Sequence, residues 1–280
     1  MTNIDRAAII AVAEDAARKA GAFIREAFLA AASGTSLAIE QKDGFADLVT
    51  VVDRQSEKLI RDIIGQGVPG SRILGEETGW QGEGDVLWFV DPLDGTSNFV
   101  SGLPFFCVSI AATTSQGEAL AGVVYDPMRD ELFSAHASGL HINGQLLAPG
   151  SLGATDDLAE VLTNLPREGR RPSAHELERF ADLVAHFRSV RRLGSSALHL
   201  AYVAAGRASV AVDLGCGAWD IAAGMQLVQA AGGQLLCRAE NTSQTMLAPL
   251  LDIERVHSLV AATAGYELEG SAAFSYLEAS

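Results

Sequence analysis

The sequence has 280 residues, 48% of them apolar, enough for one large unit or two closely packed lobes and too many for a disordered chain. Its formal charge of −15 argues against nucleic acid and anionic membranes as partners, because both leave a basic footprint. No apolar run reaches the roughly 18 residues of a membrane-spanning helix, and the acids and bases of the N-terminal stretch make a poor signal peptide.

Cys107, Cys216 and Cys237 are far apart and lack metal-ligand spacing, so reduced structural thiols in a cytoplasmic protein are expected. Ile9, Val12, Ala16, Ala20 and Phe23 recur at helical spacing, with Glu14, Asp15, Arg18 and Lys19 between them, which predicts an opening amphipathic helix. A second helix is predicted over about 52–65, with Leu59, Ile60, Ile63 and Ile64 opposite Glu57, Lys58, Arg61 and Asp62. Short strands are then expected at Ile73-Leu74, Val86–Val90, Phe106–Ala111 and Ala121–Tyr125.

Helix 174–187, strand 188–192, helix 195–205, strand 208–213 and helix 219–231 follow in alternation, the pattern of a layered α/β architecture. A boundary is expected near 147–157, where Ala-Pro-Gly-Ser-Leu-Gly interrupts the pattern. It divides the chain into a metal- and phosphate-binding lobe, 1–150, and an α/β lobe, 151–280, that completes the same site. Residues 166–172 read as an exposed loop.

Acids stand where elements change. The apolar strand Val86–Val90 runs into Asp91, and Pro92, having no N–H, is expected to stop the ladder there. Asp94 is expected to cap a helical turn beginning at Gly95 and Thr96, whose free N–H groups would face a phosphate. Taken alone, Asp91-Pro-Leu-Asp94-Gly reads equally well as a surface turn. Its companions are Asp47 and Asp53, Glu76 and Glu77 after another short apolar run, and Asp220 at the start of a strongly helical segment.

Clustered carboxylates repel one another and require a cation, and oxygen donors without His or Cys select Mg²⁺ or a similarly hard ion. Such ions would also reverse the negative field that repels a phosphorylated substrate. Two of them could hold the phosphate, lower the pKa of a water and stabilise the leaving oxygen. Thr96 paired with Asp47 could orient that water, and Glu76 could help polarise it.

These segments resemble the inositol monophosphatase family of lithium-sensitive, magnesium-dependent phosphatases. The resemblance rests on Lys42 with Asp47-Leu-Val-Thr-Val-Val-Asp53, Gly75-Glu76-Glu77, and Trp88-Phe-Val-Asp91-Pro-Leu-Asp94-Gly-Thr-Ser-Asn-Phe99. It continues in Gly122–Pro127, Asn143-Gly144, Arg192-Leu-Gly-Ser-Ser-Ala197, Trp219-Asp-Ile-Ala-Ala-Gly224 and Ala231–Gly233, in the family's order.

The resemblance implies an α/β/α/β/α five-layer sandwich, commonly a homodimer, with two or three Mg²⁺ per site. By the same resemblance Glu76, Asp91 and the Leu93 carbonyl hold one metal, and Asp91, Asp94 and Asp220 another. Glu76 serves a third, weaker site. Thr96, Asp47 and Glu76 form the water-activating group, and Gly95, Thr96, Ser195, Asp213 and Lys42 contact phosphate or substrate. The implied substrate is a small phosphorylated metabolite: inositol monophosphate, a related sugar or polyol phosphate, histidinol phosphate, fructose bisphosphate or a phosphoadenosine phosphate.

Departures from the family pattern concern the organic half of the substrate. Asp213 stands where many members have glutamate, 208–212 lack the usual acidic and aromatic residues, and 234–253 lack the usual glycine-rich pattern. Two other readings compete. One is an aspartyl-phosphate enzyme, although its two acids stand two apart and Asp91 and Asp94 stand three apart. The other is a non-catalytic binding or regulatory protein on the same fold.

Overall fold

The computed structural model describes residues 5–32, 39–41, 48–148, 155–167, 171–239, 245–246 and 250–278. The opening stripe forms α1 (Arg6–Ala32), burying Ile9, Ala13, Ala16, Ala20 and Ile24 and leaving Asp15, Arg18 and Lys19 in solvent. The short antiparallel pair β1 (Ile39–Gln41) and β2 (Leu48–Thr50) leads into α2 (Val51–Gly67). Ile60 and Ile64 of α2 are buried as the periodicity requires. Glu57 departs from the expected polar face: it is fully buried, because its carboxylate accepts hydrogen bonds from the turn that follows the next strand.

That strand, β3 (Ser71–Gly75), belongs to an eight-stranded sheet with β4 (Gly79–Gln81), β5 (Val86–Asp94), β6 (Cys107–Thr114), β7 (Ala119–Asp126), β8 (Glu131–His136), β9 (Gly139–Ile142) and β10 (Gln145–Leu146). Its order is β10-β9-β8-β7-β6-β5-β3-β4, antiparallel except for the parallel β3–β5 pair. The short α3 (Thr96–Ser101) joins β5 to β6.

The second sheet contains β11 (Glu160–Thr163), β12 (Ser189–Arg191), β13 (Val210–Leu214), β14 (Gln234–Ala239), β15 (Thr245–Met246) and β16 (Val256–Ala262), in the order β12-β11-β13-β16-β14-β15. Here β12, β11 and β13 are parallel. Their connections carry α4 (Ala174–His186) and α5 (Ser196–Ala204), and α6 (Ala218–Ala230) follows β13. The last helix, α7 (Ala272–Glu278), packs on β14 and β16.

Alternation along the strands separates three apolar layers. Trp88 and Val90 of β5 face α1 and α2, whereas Phe89 faces α5 and α6. In β13, Ala211 joins that middle layer, and Val210 and Val212 face Leu183 of α4 and Ala273 of α7. The result is the expected α/β/α/β/α stack. Helix α6 is apolar almost all round because it lies between the two sheets, touching β5 to β8 on one side and β14 and β16 on the other.

Two expectations need correction. Pro92 does not stop the ladder: β5 runs to Asp94, and a register shift between Asp91 and Asp94 places Pro92 and Leu93 in a bulge, which removes the need for a proline N–H. The region after 233, where no element was predicted, supplies β14 and β16 at the centre of the second sheet. The expected boundary near 147–157 lies largely outside the described residues.

Candidate active site

The ends of both sheets and the starts of three helices meet at a cavity of about 360 Å³. Glu76 follows β3, Asp91 to Asp94 end β5, Thr96 opens α3, Ser195 precedes α5 and Asp220 lies in the first turn of α6. The structure thus brings Glu76, Asp91, Leu93, Asp94, Gly95, Thr96, Ser195 and Asp220 to one cavity from distant parts of the sequence.

Each is held by a local contact. The Glu76 N–H donates to the Val90 carbonyl at 3.1 Å, prolonging the β3–β5 pairing by one residue. Behind it, the buried Glu57 carboxylate accepts from the Glu77 N–H at 2.8 Å and lies against Gly75. Asp91 accepts from the Leu93 N–H at 2.9 Å, which shapes the bulge, and the Thr96 hydroxyl donates to the Leu93 carbonyl at 2.9 Å. Gly95 has φ of 97°, and a Cβ there would sit 3.0 Å from the Phe105 carbonyl. The turn therefore requires glycine.

Asp94 does not cap its own turn. Its carboxylate accepts from Ser195 Oγ at 2.5 Å and the Ala197 N–H at 2.7 Å, so it caps the first turn of α5 across the cavity. Gly95 holds the capping position of α3 instead. Ser195 is the N-cap of α5, accepting from the Leu198 N–H at 3.3 Å. Replacing Ser195 with alanine removes both that cap and a donor to Asp94, and should cost about 1–2 kcal/mol in thermal unfolding. An unchanged melting temperature would contradict this placement.

The electrostatics of the acids are unfavourable without a cation. Burial, then Glu76, Asp94, Asp220 and Asp53, hold the Asp91 carboxyl well above the usual carboxylate range. Burial also raises Asp94, opposed by its bonds from Ser195 and Ala197. Asp220 is pushed up to about 7, by burial first and then by Asp94. It accepts from the Gly217 N–H at 2.7 Å. Protonation of these acids would relieve repulsion that a metal ion would relieve better.

Among the described residues, no three His, Cys, Asp or Glu side chains already enclose a common point as a finished metal cage. The donor chemistry nevertheless fits a hard divalent cation. Three buried or half-buried aspartates, one glutamate and the Leu93 carbonyl offer oxygen alone, and the acids repel one another when ionised. Cys107 and Cys216 are poorly suited to act as nucleophiles or soft ligands. Burial followed by nearby aspartates holds Cys107 and Cys216 well above the ordinary thiol range.

Lys42 and Asp47 lie outside the described residues. Asp213, expected against the substrate, is turned away from the cavity: its side chain is fully buried and accepts from the Asn164 N–H at 2.9 Å. His199 Nδ1 lies 3.2 and 3.3 Å from its two oxygens. The shorter aspartate is satisfied behind the wall rather than at it. Sequence reading gave no sign of the fully buried His199. It also passed over Arg167 and Asn164, which follow β11 and line the cavity.

The sequence model of the inositol monophosphatase family matches residues 5–273. The chain belongs to that family. Inositol-1-monophosphatase from Mesorhizobium japonicum is 39% identical over 232 residues, covering 81% of this chain and 85% of the relative. Nus factor SuhB from Salmonella typhimurium (strain LT2) is 40% identical over 229 residues, covering 80% and 83%. The crystal structure of extragenic suppressor protein suhB from Bartonella henselae superposes with a TM-score of 0.78 at 33% identity, over 92% of this chain and 95% of that one. Members of the family are generally Mg²⁺-dependent phosphatases.

Proposed function

We propose that the protein is a Mg²⁺-dependent phosphomonoesterase acting on a small phosphorylated metabolite. The observation that carries this reading is the convergence of Glu76, Asp91, Asp94 and Asp220 on one cavity, with aspartate carboxyls raised by burial and mutual repulsion. Glu76, Asp91 and the Leu93 carbonyl would hold one ion, and Asp91, Asp94 and Asp220 a second, with Glu76 shared by a third, weaker site. Bound Mg²⁺ would supply positive charge to the phosphate and its leaving oxygen and lower the pKa of the attacking water.

The chain's own residues do the rest. The N–H groups of Gly95 and Thr96 receive the phosphate at the start of α3, and Ser195 and Lys42 are the further phosphate or substrate contacts in this reading. The Thr96 hydroxyl, held by the Leu93 carbonyl, orients the attacking water in this reading, with Asp47 and Glu76 as the groups that take its proton. Attack by water leaves no covalent enzyme intermediate, so borohydride should trap no phospho-aspartate.

Phosphate release should require added Mg²⁺, fall to background in chelator, and be inhibited by lithium and by excess Mg²⁺. Full turnover in chelator would end this reading. We further propose a homodimer in the cytoplasm; no helix among the described residues is long and apolar enough to cross a membrane. The relatives named Nus factor SuhB favour a second reading, a non-catalytic regulatory protein on this fold. It predicts no Mg²⁺-dependent phosphate release from any substrate of a broad panel.

A further inference from the structure

Glu76 stands on a turn that the sheet alone holds weakly. Gly75 pairs with Gly79 across β3 and β4, so Glu76, Glu77 and Thr78 form the hairpin turn, and Gly79 closes it with φ of +65°. Strand β4 is three residues long and lies at the edge of the eight-stranded sheet. A short edge hairpin opens more readily than a central strand. A metal ligand, in contrast, must be held within about 0.5 Å of its working position.

The turn is gripped by α2. Arg54, Glu57 and Arg61 stand at i, i+3 and i+7, on one face of that helix. Arg54 Nε lies 3.7 Å from Glu77 Oε2, and the Glu77 side chain is buried. Glu57 Oε2 accepts from the Glu77 N–H at 2.8 Å, and Glu57 Oε1 accepts from the Thr78 hydroxyl. Arg61 Nη1 donates to the same hydroxyl at 2.6 Å and lies 3.4 Å from Glu57 Oε1. Both oxygens of a fully buried carboxylate are thus taken by donors of one turn. An amide in its place would set an NH₂ group against one of those donors.

Gly75 serves the same arrangement. A Cβ there would fall 2.4 Å from Glu57 Cδ and Oε2, and Gly75 is not among the glycines with positive φ. It is glycine to make room for the acid, not to free its own backbone. The motif Gly75-Glu76-Glu77 then divides into room for the carboxylate, a ligand in the cavity, and a tie to α2. Glu57 itself does not line the cavity.

We propose that Glu57 is a positioning residue that sets the affinity of the site for Mg²⁺ through Glu76. The proposal rests on the phosphatase reading above. Partners that orient a metal's ligands account for about 10- to 100-fold in metal affinity. The test is calorimetry of Mg²⁺ binding to the full chain without substrate, for wild type, Glu57→Gln, Glu76→Gln and the double variant. Phosphate release from inositol 1-phosphate is measured in parallel.

Glu57→Gln should weaken Mg²⁺ binding about tenfold and raise the Mg²⁺ concentration for half-maximal release by a similar factor. KM for inositol 1-phosphate should change by no more than about twofold. Because Glu57 acts through Glu76, adding Glu57→Gln to Glu76→Gln should weaken binding by no more than about a further twofold. Thr78 is exposed, so its variants test the same contact without disturbing the core. Thr78→Val should weaken binding about threefold, and Thr78→Ser, which keeps the hydroxyl, should match wild type.

Unchanged Mg²⁺ affinity in Glu57→Gln, whatever its melting temperature, overturns the proposal, as does a full tenfold loss on top of Glu76→Gln. If Glu57→Gln does not fold, equal affinity of Thr78→Val and wild type overturns it. Wild type that binds Mg²⁺ and releases no phosphate ends the phosphatase reading alone, and the binding data still decide for Glu57. Wild type that binds no Mg²⁺ overturns both.

Discussion

Asp91→Asn is expected to remove phosphate release while making the metal-free protein harder to unfold. Asp91 is 2% exposed and stands among Glu76, Asp94, Asp220 and Asp53, whose charges raise its carboxyl beyond the effect of burial alone. Asparagine keeps the shape and the oxygen that accepts from the Leu93 N–H, so the bulge in β5 should survive. The substitution deletes the one charge shared by both proposed metal positions. Losing one electrostatic stabiliser from a water-excluded site costs on the order of 10²- to 10³-fold in rate, and a shared ligand should reach at least the upper figure. The same deletion relieves repulsion in the metal-free fold, so the melting temperature in chelator at pH 8 should rise by several degrees. The two readouts move in opposite directions, which separates lost chemistry from simple misfolding. Activity within tenfold of wild type, or a lower melting temperature in chelator, would sink the assignment of Asp91.

The positions of the acids were legible because the chemistry is written locally. Glu76 and Asp91 each follow an apolar run, and Asp220 stands in the first turn of an apolar helix, so the pattern alone points to them. The roles of their supports were less legible, since those depend on residues far away in the chain. Asp94 looks like the cap of the next turn until α5, a hundred residues later, presents Ser195 and Ala197 to it. Glu57 fits a polar helix face, and only the return of β3 shows that its carboxylate shapes the segment carrying Glu76. Asp213 matched a substrate contact by position, but its buried carboxylate is taken up by His199 and the Asn164 N–H. Arg167 carried no local signal at all: its place against Gly215 exists only after two parallel strands align.

The second large effect concerns pH, and it follows from the same acids. A carboxyl whose folded pKa lies above its unfolded value keeps its proton longer in the folded chain, so the folded state binds more protons between the two values. Stability then falls as pH rises through that window and levels off above it. For Asp220 the window runs from the ordinary aspartate value of 3.8 to about 7, and Asp91 and Asp94 shift in the same direction. The metal-free protein should therefore lose stability between about pH 4 and pH 7, the reverse of the usual acid denaturation of salt-bridged carboxylates. Mg²⁺ binds the ionised acids and must displace their protons, so its apparent affinity should increase as pH rises through that range. Thermal unfolding with and without saturating Mg²⁺ at pH 5.5, 6.5 and 8 measures both at once. The stabilisation by Mg²⁺ should be smallest at pH 5.5 and largest at pH 8, where several kcal/mol of relieved repulsion corresponds to about 2–4 °C each. Equal protection by Mg²⁺ at the two extremes would show that these aspartates are not the groups that hold the ion.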